Sequence, residues 1–598
     1  MKKTKPLWLK LLLALVLLGL AACVWEFASS QNPYVLPVKR ALKYNVLGMS
    51  TVDRDAERAG LAETFSSVVY SDGEVLTKEF DPTADNKKIL SDGKLTRLVN
   101  YTHGYQLDMP AGAEFDFSLS PLYVTGTGEH FDVTVSREKA DYQSLKDVVT
   151  FELSTFLPWF FDDNTVENYV YYYEYRFLLD EGWQTNNGVT TTSWTDDSIN
   201  AYFVEAQVDE LPDELYDGYL YVNYFTSSRE YLRVMFRYQK EDTATRDALV
   251  ALARNTRIFD PVGTAVYHTD YRPDLADVKW SQETGDLFAS FSDFSSSPDW
   301  GIFLQDFYIN GFDGELTDLE QALDYTFPVI LYYRHLPTHD FPTDVMQENY
   351  EAGRLVELTL QLTDNNNMDM FAKSPLLDIY RGKMDAEVRA WARDAAAFGH
   401  PFLFRLNNEM NSDWTSYGGV VNLADPAIFT AVWQRIYRIF EEEGVDNCIW
   451  IYNPNDRQAP PSNWNNSLAY YPGNEYAQMI GVTGYNNGTY YTKWAEEWRE
   501  FDVIYDLIWD EYHPRFAAFP WIITEFASSG IGGDKVAWIN NMFEHIGDYP
   551  NIRMAVWFSF ADFDDANGGV PARTYWLDET PETLEAFRQG LKKQFSAP

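Results

Sequence analysis

The sequence predicts a (β/α)₈ TIM barrel in the C-terminal half of the chain, preceded by an α+β domain built mostly on antiparallel sheet. From about residue 300 onward, eight apolar strand-like runs alternate with amphipathic helical patterns. Continuous apolar strands are typical of a parallel sheet that is covered on both faces. Eight such units close naturally into a barrel, whose active site lies at the carboxyl ends of its strands.

The N-terminus has the features of a bacterial export signal. A basic start, "MKKTKPLWLK", precedes the apolar run "LLLALVLLGLAAC", which is too short for an ordinary membrane span. "LAAC" resembles the lipobox, in which the cysteine becomes the lipidated first residue. We therefore expect a lipoprotein signal peptide over residues 1–22, a fatty acid such as palmitate on Cys23, and a tether over 23–45. The alternative is a plain signal peptide or an uncleaved anchor. The expected location is the bacterial cell surface, outside the cytoplasm and anchored to the membrane by lipid.

Residues 46–260 read as an α+β accessory domain. Short alternating runs are separated by Gly, Asp, Asn and Pro, and helical patterns such as "TATRDALVALARNTRIF" are fewer. A block of strands with few helices indicates antiparallel sheet. We find no catalytic constellation in this region of the sequence.

Composition limits the classes of partner. The 598 residues carry 47 basic and 90 acidic side chains, a net charge of −43, which argues against binding nucleic acid. Solubility alone also explains this charge. The two cysteines have neither disulfide nor zinc-ligand spacing. We expect no metal or cofactor, a monomer, and a sugar ligand suited to the 16% aromatic content.

The barrel domain is predicted over residues 265–598. Its eight strand runs are, in order, "WGIFLQDFY", "FPVILYYRHL", "RLVELTLQLT", "HPFLFRLNNE", "NCIWIYNPN", "AQMIGVTGYNNG", "FPWIITEFASS" and "NIRMAVWFSFADF". Amphipathic helical segments follow most of them, and the fifth run leads into an irregular stretch. The sixth helical segment is predicted to begin at "WAEEWREF".

Two carboxylates stand at predicted strand ends. Glu409 follows the fourth strand and Glu525 ends the seventh, three places apart around the ring, so their side chains should face each other across the mouth. Glycosidic cleavage needs such a pair, one to protonate the leaving oxygen and one to attack or to activate water. The alternative is that Glu409 pairs with Arg405 and that Glu525 caps a loop.

Other polar and aromatic residues are predicted at the same rim as candidates for substrate binding. They are Arg405, Asn408, His335, Tyr485, Trp557 and Asp562 at strand ends, with Trp414 and Trp464 in the loops that follow.

At these residues the chain resembles glycoside hydrolase family 26. "FRLNNEMNSDW" is similar to the family's acid/base motif, Arg-Pro-x-His-Glu-Met-Asn-Gly-x-Trp, and "NCIWIYNPN", "YYPGNEYAQMIGVTGYN", "PWIITEFASSG" and "AVWFSF" resemble its later strands in the right order. The resemblance covers about residues 300–598. It implies a retaining glycosidase with Glu409 as acid/base, Glu525 as nucleophile and Tyr485 as partner of the nucleophile. It also implies substrate-platform positions for Trp414 and Trp557.

The chain departs from the family pattern at three positions. Asn408 stands in place of the usual histidine, Ser412 in place of glycine, and Thr483 where an aspartate is common. The family cleaves mainly β-1,4-mannans, and some members act on mixed-linkage β-glucan or β-1,3-xylan. The resemblance therefore implies an endo-β-1,4-mannanase-like hydrolase of a β-linked polysaccharide or oligosaccharide. The alternatives are a lichenase, a β-1,3-xylanase and, from another class, a non-catalytic carbohydrate-binding surface lipoprotein.

Overall fold

The computed structural model divides the chain into two compact units, Met1–Val266 and Tyr267–Pro598. It describes residues 67–70, 87–100, 104–120, 123–139, 170, 175, 178–196, 198–209, 216–225, 230–258, 274–363, 375–419, 426–460, 465–492, 496–564 and 567–596. The predicted signal peptide, the tether, Cys23 and Trp464 lie outside these residues. Within them, no helix has the length and apolar character that crossing a membrane requires.

The first unit is built on two antiparallel sheets. Its described strands are β1 (Ser67–Tyr70), β2 (Lys87–Ser91), β3 (Leu95–Asn100), β4 (Tyr105–Pro110), β5 (Glu114–Ser120), β6 (Tyr123–Thr127), β7 (Phe131–Lys139), β8 (Val189–Asp196), β9 (Ala201–Val208), β10 (Gly218–Phe225), β11 (Glu230–Tyr238) and β12 (Arg257–Ile258). The strand orders are β1-β2-β3-β4-β12 and β5-β6-β7-β11-β10-β9-β8. The described helices of this unit are α1 (Glu181–Asn187) and α2 (Thr243–Asn255).

Helix α2 shares a core with both sheets. It begins after Asp242, whose side chain accepts a hydrogen bond from Thr245 N, as an N-cap residue does. Leu249 and Ala253 pack into an apolar cluster with Leu107 of β4 and Val234 of β11. The prediction of an α+β domain with mostly antiparallel sheet is confirmed.

The second unit contains a closed barrel of eight parallel strands. They are β13 (Asp299–Leu304), β14 (Val329–Leu336), β15 (Leu355–Leu362), β16 (Phe402–Leu406), β17 (Cys448–Tyr452), β18 (Met479–Thr483), β19 (Trp521–Phe526) and β20 (Ile552–Ser559). The described helices are α3 (Gln282–Ser290), α4 (Glu315–Leu323), α5 (Thr343–Glu351), α6 (Pro375–Tyr380), α7 (Asp385–Phe398), α8 (Pro426–Glu442), α9 (Phe501–Phe516), α10 (Lys535–His545) and α11 (Pro581–Ser596). The predicted (β/α)₈ barrel is confirmed.

Closure of the barrel depends on a close approach at Gly301. This residue of β13 pairs with Val329 of β14 and with Val556 of β20. A Cβ at this position would lie 2.9 Å from atoms of both valines, so glycine lets the first and last strands meet.

Helix α9 begins later than the sequence predicted. Residues 496–500 are not helical, and the helix starts at Phe501. Asn486 Oδ1 accepts a hydrogen bond from Arg499 N at 3.0 Å. The backbone N–H of Arg499 is therefore engaged in a tertiary contact instead of an intrahelical hydrogen bond.

The interior of the barrel changes character along the strands. Its lower layers are apolar, with Val329, Leu403, Ile451, Ile522 and Val556 in one buried cluster. Polar side chains replace them towards the carboxyl ends of the strands. A short antiparallel hairpin follows β20, formed by β21 (Ala561–Asp564) and β22 (Val570–Thr574).

Candidate active site

The turn after β16 holds the first carboxylate. Asn407 and Glu409 have φ values of 54° and 53°, in the left-handed region that side chains other than Asn and Gly rarely adopt. Neighbouring strands hold this strained turn: Asn407 Oδ1 accepts from Leu362 N at 2.8 Å, and Glu409 N donates to Asn453 O at 2.9 Å. The strain is therefore maintained by β15 and by the end of β17, as is common where a side chain is pre-positioned for function.

Glu409 lies in a poorly solvated position beside one neutral donor. Its side chain is buried, and Trp414 Nε1 donates to its Oε2 at 2.8 Å. Burial, followed by the charge of Glu525, raises the pKa of Glu409 to about 8, and these effects outweigh the Trp414 hydrogen bond, which lowers it. Glu409 therefore holds a proton at neutral pH, as a general acid must.

Glu525 lies on β19 among stronger donors. Arg405 Nη1 lies 2.6 Å from its Oε1, and Tyr485 Oη donates to its Oε2 at 2.9 Å. Asn408 Nδ2 donates to Oε1 at 3.4 Å. A guanidinium and two further donors aimed at one carboxylate hold it in a fixed position, as attack on carbon requires.

An irregularity in β19 places Glu525 inside the barrel. The pairing with β20 shifts register between Ile523 and Phe526. Strict alternation would point Thr524 and Glu525 in opposite directions. Instead, Thr524 Oγ1 lies 3.2 Å from Thr483 Oγ1 inside the barrel while Glu525 contacts the residues named above. A bulge re-aims a side chain in this way.

Arg405 is fully buried and organises the centre of the site. Besides Glu525, it donates from Nε to Thr359 Oγ1 at 2.7 Å, from Nη1 to Asn453 Oδ1 at 3.0 Å, and from Nη2 to Tyr333 Oη at 3.1 Å. Burial lowers its pKa, but the charge of Glu525 and other acidic neighbours more than compensate, so the pKa of Arg405 is raised and the guanidinium stays charged.

Sequence reasoning missed the polar residues of β15. Glu357, Thr359 and Gln361 alternate along this strand and face the interior, while the intervening residues are buried leucines. Glu357 lies 3.3 Å from Arg405 Nε, and neither of its carboxyl oxygens accepts a hydrogen bond from any residue that the structure describes. The alternation "E-L-T-L-Q-L" is the signal that would have identified them.

Asn408 is held by the same strand. Its Oδ1 accepts from Gln361 Nε2 at 2.7 Å and from Tyr417 Oη at 2.7 Å. Near them lies the predicted rim residue His335, whose pKa is lowered by burial and by His339, although a hydrogen bond with Gln361 opposes this. The structure thus brings Arg405, Asn408, Glu409, Tyr485 and Glu525 into one contact network, with His335 at its edge.

Trp557 is the predicted site residue that the structure contradicts. It is fully buried, donates from Nε1 to Tyr575 O at 2.9 Å, and packs on Trp538 of α10 and Phe587 of α11. The prediction of a substrate platform is wrong because β20 turns this side chain outward, against the helices.

Phe558 and Phe560 occupy the interior side instead. Phe558 stacks on Phe303 with ring centroids 4.5 Å apart and lies 6.1 Å from the Tyr485 ring. Phe560 follows at 6.3 Å, and Phe563, which is 45% exposed, at a further 6.3 Å. These partly exposed rings lead from the partner of Glu525 towards solvent. Such surfaces suit the flat faces of sugar rings.

Asp562 and Trp414 follow strands on opposite sides of the barrel, Asp562 after β20 and Trp414 after β16. Asp562 pairs with Arg573 at 2.6 Å across the β21–β22 hairpin, and Arg573 also binds Glu496 at 2.5 Å, so Arg573 ties the hairpin to the loop after β18. Trp414 is 45% exposed while its indole N–H binds Glu409, so its ring is available to a ligand beside that carboxyl group.

Comparison with known proteins finds a family match within the barrel. Residues 378–505 match the model of glycosyl hydrolase family 26, over a segment that includes Glu409 and Tyr485 and ends before Glu525. Within the barrel, this segment of the chain is therefore similar to glycosyl hydrolase family 26. The resemblance inferred from the sequence motifs is thereby confirmed.

Two named proteins are similar to parts of this chain. Endoglucanase H of Acetivibrio thermocellus is 31% identical over 257 residues, which are 42% of this chain and 25% of that protein. A mannan endo-1,4-β-mannosidase of Bacillus subtilis is 30% identical over 98 residues, 15% of this chain and 25% of that protein. The chain thus spans about a quarter of the length of each of these relatives. A family 26 β-mannanase structure from Bacteroides ovatus is 15% identical, with 52% of this chain and 94% of that chain covered and a TM-score of 0.41.

Among the described residues, no group of three or more His, Cys, Asp or Glu side chains is placed to hold a metal ion.

Proposed function

We propose that the barrel hydrolyses a β-linked polysaccharide with retention of anomeric configuration, and that its preferred substrate class is β-1,4-mannan. The observation that carries the proposal is the contrast between two buried carboxyl groups at one barrel mouth. Glu409 has a pKa raised to about 8, whereas Glu525 receives a guanidinium and two further donors. Two carboxyl groups with opposed environments are the acid and the nucleophile of a glycosidase.

The reaction proceeds in two displacements. Glu525 attacks the anomeric carbon while Glu409 gives its proton to the leaving oxygen, which forms a glycosyl ester on Glu525 and releases the first sugar product. Glu409, now ionised, removes a proton from water, which attacks the same carbon and releases the second product. The Tyr485 hydroxyl and Arg405 hold the Glu525 carboxylate in place before the first displacement.

Mannan as substrate is supported by the name of the Bacillus subtilis relative. A second candidate is β-glucan, because the relative matched over 257 residues is named an endoglucanase. The amide of Asn408, where the family motif has histidine, is the difference next to the acid/base that bears on this choice.

Release of reducing sugar from mannan, glucomannan, lichenan and β-1,3-xylan tests the proposal, with Glu525→Ala as the matched inactive control. We expect the wild type to act on one or more of them and fastest on mannan or glucomannan. Fastest release from lichenan would select the β-glucan alternative. Binding of these polysaccharides with no hydrolysis would contradict the enzyme proposal and favour a carbohydrate-binding protein.

We also propose that the protein is anchored by a fatty acid on Cys23, on the strength of the "LAAC" run after a basic start. Metabolic labelling with palmitate in a bacterial host should mark the wild type and leave Cys23→Ala unlabelled. Absence of label in the wild type would show that the signal is of another kind.

A further inference from the structure

The two ends of the Asn408 carboxamide are committed to different partners. Oδ1 accepts from Gln361 Nε2 and from Tyr417 Oη, each at 2.7 Å, while Nδ2 faces Glu525 Oε1 at 3.4 Å. A carbonyl oxygen has two lone pairs, so both acceptor positions of Oδ1 are occupied. Gln361 Nε2 also donates to Tyr417 Oη at 3.1 Å, which closes the three groups into a triangle.

The opposite orientation of this amide is disfavoured by Gln361 and Glu525 together. Rotation of the Asn408 carboxamide by half a turn would set its N–H₂ against the N–H₂ of Gln361. It would also set its oxygen against the carboxylate of Glu525. Both contacts would be repulsive, and leaving buried polar groups unpaired is costly. Tyr417 alone does not impose this choice, because a hydroxyl can donate or accept.

Gln361 is itself held in place by its strand. It is the last of the inward polar residues on β15, and the neighbouring Leu360 and Leu362 are buried on the opposite face. It pairs in register with His335 of the adjacent strand β14. The orientation of Asn408 is thus transmitted through packed strands rather than through a loop.

We propose that Gln361 is a positioning residue that keeps Asn408 Nδ2 turned towards Glu525 and towards the hydroxyl on the sugar carbon beside the anomeric carbon. This inference rests on the proposed glycosidase function. Hydrogen bonds to that hydroxyl strengthen in the transition state of glycoside cleavage. A donor fixed in the right direction therefore raises the rate of the chemical step, although Gln361 touches none of the reacting atoms.

The test compares an aryl β-glycoside with its 2-deoxy analogue, both built on the sugar that the wild type prefers. Gln361→Glu replaces the donor by an acceptor of the same shape and should turn the Asn408 amide around. We expect kcat/KM on the 2-hydroxy substrate to fall roughly 10- to 100-fold, and kcat/KM on the 2-deoxy substrate to change less than about threefold. Gln321→Glu, on the exposed face of α4, is the matched control and should leave both values unchanged.

Equal losses on both substrates would indicate general distortion of the site and overturn the proposal, as would no change on either. Gln361→Met and Tyr417→Phe each remove one donor to Asn408 Oδ1 without adding charge, and should show the same selective loss in smaller measure. They keep the proposal testable if circular dichroism shows that Gln361→Glu does not fold. Failure of the proposed function itself is distinct, since the wild type would then hydrolyse neither glycoside.

Discussion

Glu409 and Glu525 are the same residue type, lie at the same barrel mouth and are almost equally buried, with 4% and 5% of their surfaces exposed. Their partners differ. Glu409 receives one neutral indole N–H, whereas Glu525 receives a buried guanidinium, a tyrosine hydroxyl and an amide. The comparison shows that burial alone does not give a carboxyl group its role. The charge and number of the donors around it distinguish the two positions.

The largest effect is expected from removing Glu525, the proposed nucleophile. Glu525→Ala should lower turnover by roughly a thousandfold or more, because covalent attack at carbon has no substitute group. Added azide should restore cleavage of an activated aryl β-glycoside and give an α-glycosyl azide, since azide enters the space of the missing carboxylate. A β-glycosyl azide as the product would exchange the roles assigned to the two carboxyl groups.

Removing the acid should have an effect that depends on the leaving group. Glu409→Ala should slow substrates with poor leaving groups by roughly 10²- to 10⁴-fold, since their oxygen needs a proton to depart. Dinitrophenyl glycosides should form the glycosyl-enzyme at a nearly normal rate, seen as a burst in stopped-flow absorbance. Equal slowing of the burst for good and poor leaving groups would argue against Glu409 as the acid.

A smaller effect is expected from a change in the pKa of Glu409. The Trp414 indole stabilises the ionised form of Glu409 and so lowers its pKa. Since only protonated Glu409 acts as the acid, activity should fall as pH rises through its pKa of about 8. Trp414→Phe removes the donor and should move this alkaline limb of the kcat profile to higher pH.

The matched control for Trp414→Phe is Trp498→Phe, which removes an indole that donates to Glu500 Oε1 at 2.8 Å. The control should leave the alkaline limb in place. A shift to lower pH in Trp414→Phe would show that the indole does not favour the ionised carboxylate.

The smallest effect on activity is expected at a third buried carboxyl group. Burial raises the pKa of Glu357 to about 8, against the opposing charge of Arg405, while in the unfolded chain it titrates near 4.5. Between these two values the unfolded state loses its proton more readily, so rising pH destabilises the folded wild type.

Glu357→Gln cannot ionise and should therefore gain stability relative to the wild type as pH rises from 5 to 8, by at most a few kcal/mol. Thermal denaturation at the two pH values measures this difference. An equal difference in stability between Glu357→Gln and the wild type at both pH values would show that Glu357 does not titrate in this interval.

Much of the site was predictable because it follows from periodicity and motif. Eight apolar runs predicted the barrel, and the positions of Glu409 and Glu525 just after two of them placed both side chains at its mouth. The apolar run of β15 concealed Glu357, Thr359 and Gln361, because hydropathy averaged along a strand hides alternation between its two faces.

Other features depend on how the strands meet. Trp557 and Phe558 are adjacent in sequence. Trp557 is structural because its side of β20 faces the helices, whereas Phe558 lies on the other side of the strand, beside Tyr485.

The sequence by itself determined the number and order of the strands, the class of each domain and the positions of the two carboxylates at strand ends. Local hydrophobic patterning and short motifs carry that information. The tertiary structure alone decided which way Glu525 points, because a bulge in β19 breaks the alternation, and which end of the Asn408 amide faces it. The donors that distinguish Glu409 from Glu525 come from different strands and loops. Their distances exist only after those strands have closed into a barrel.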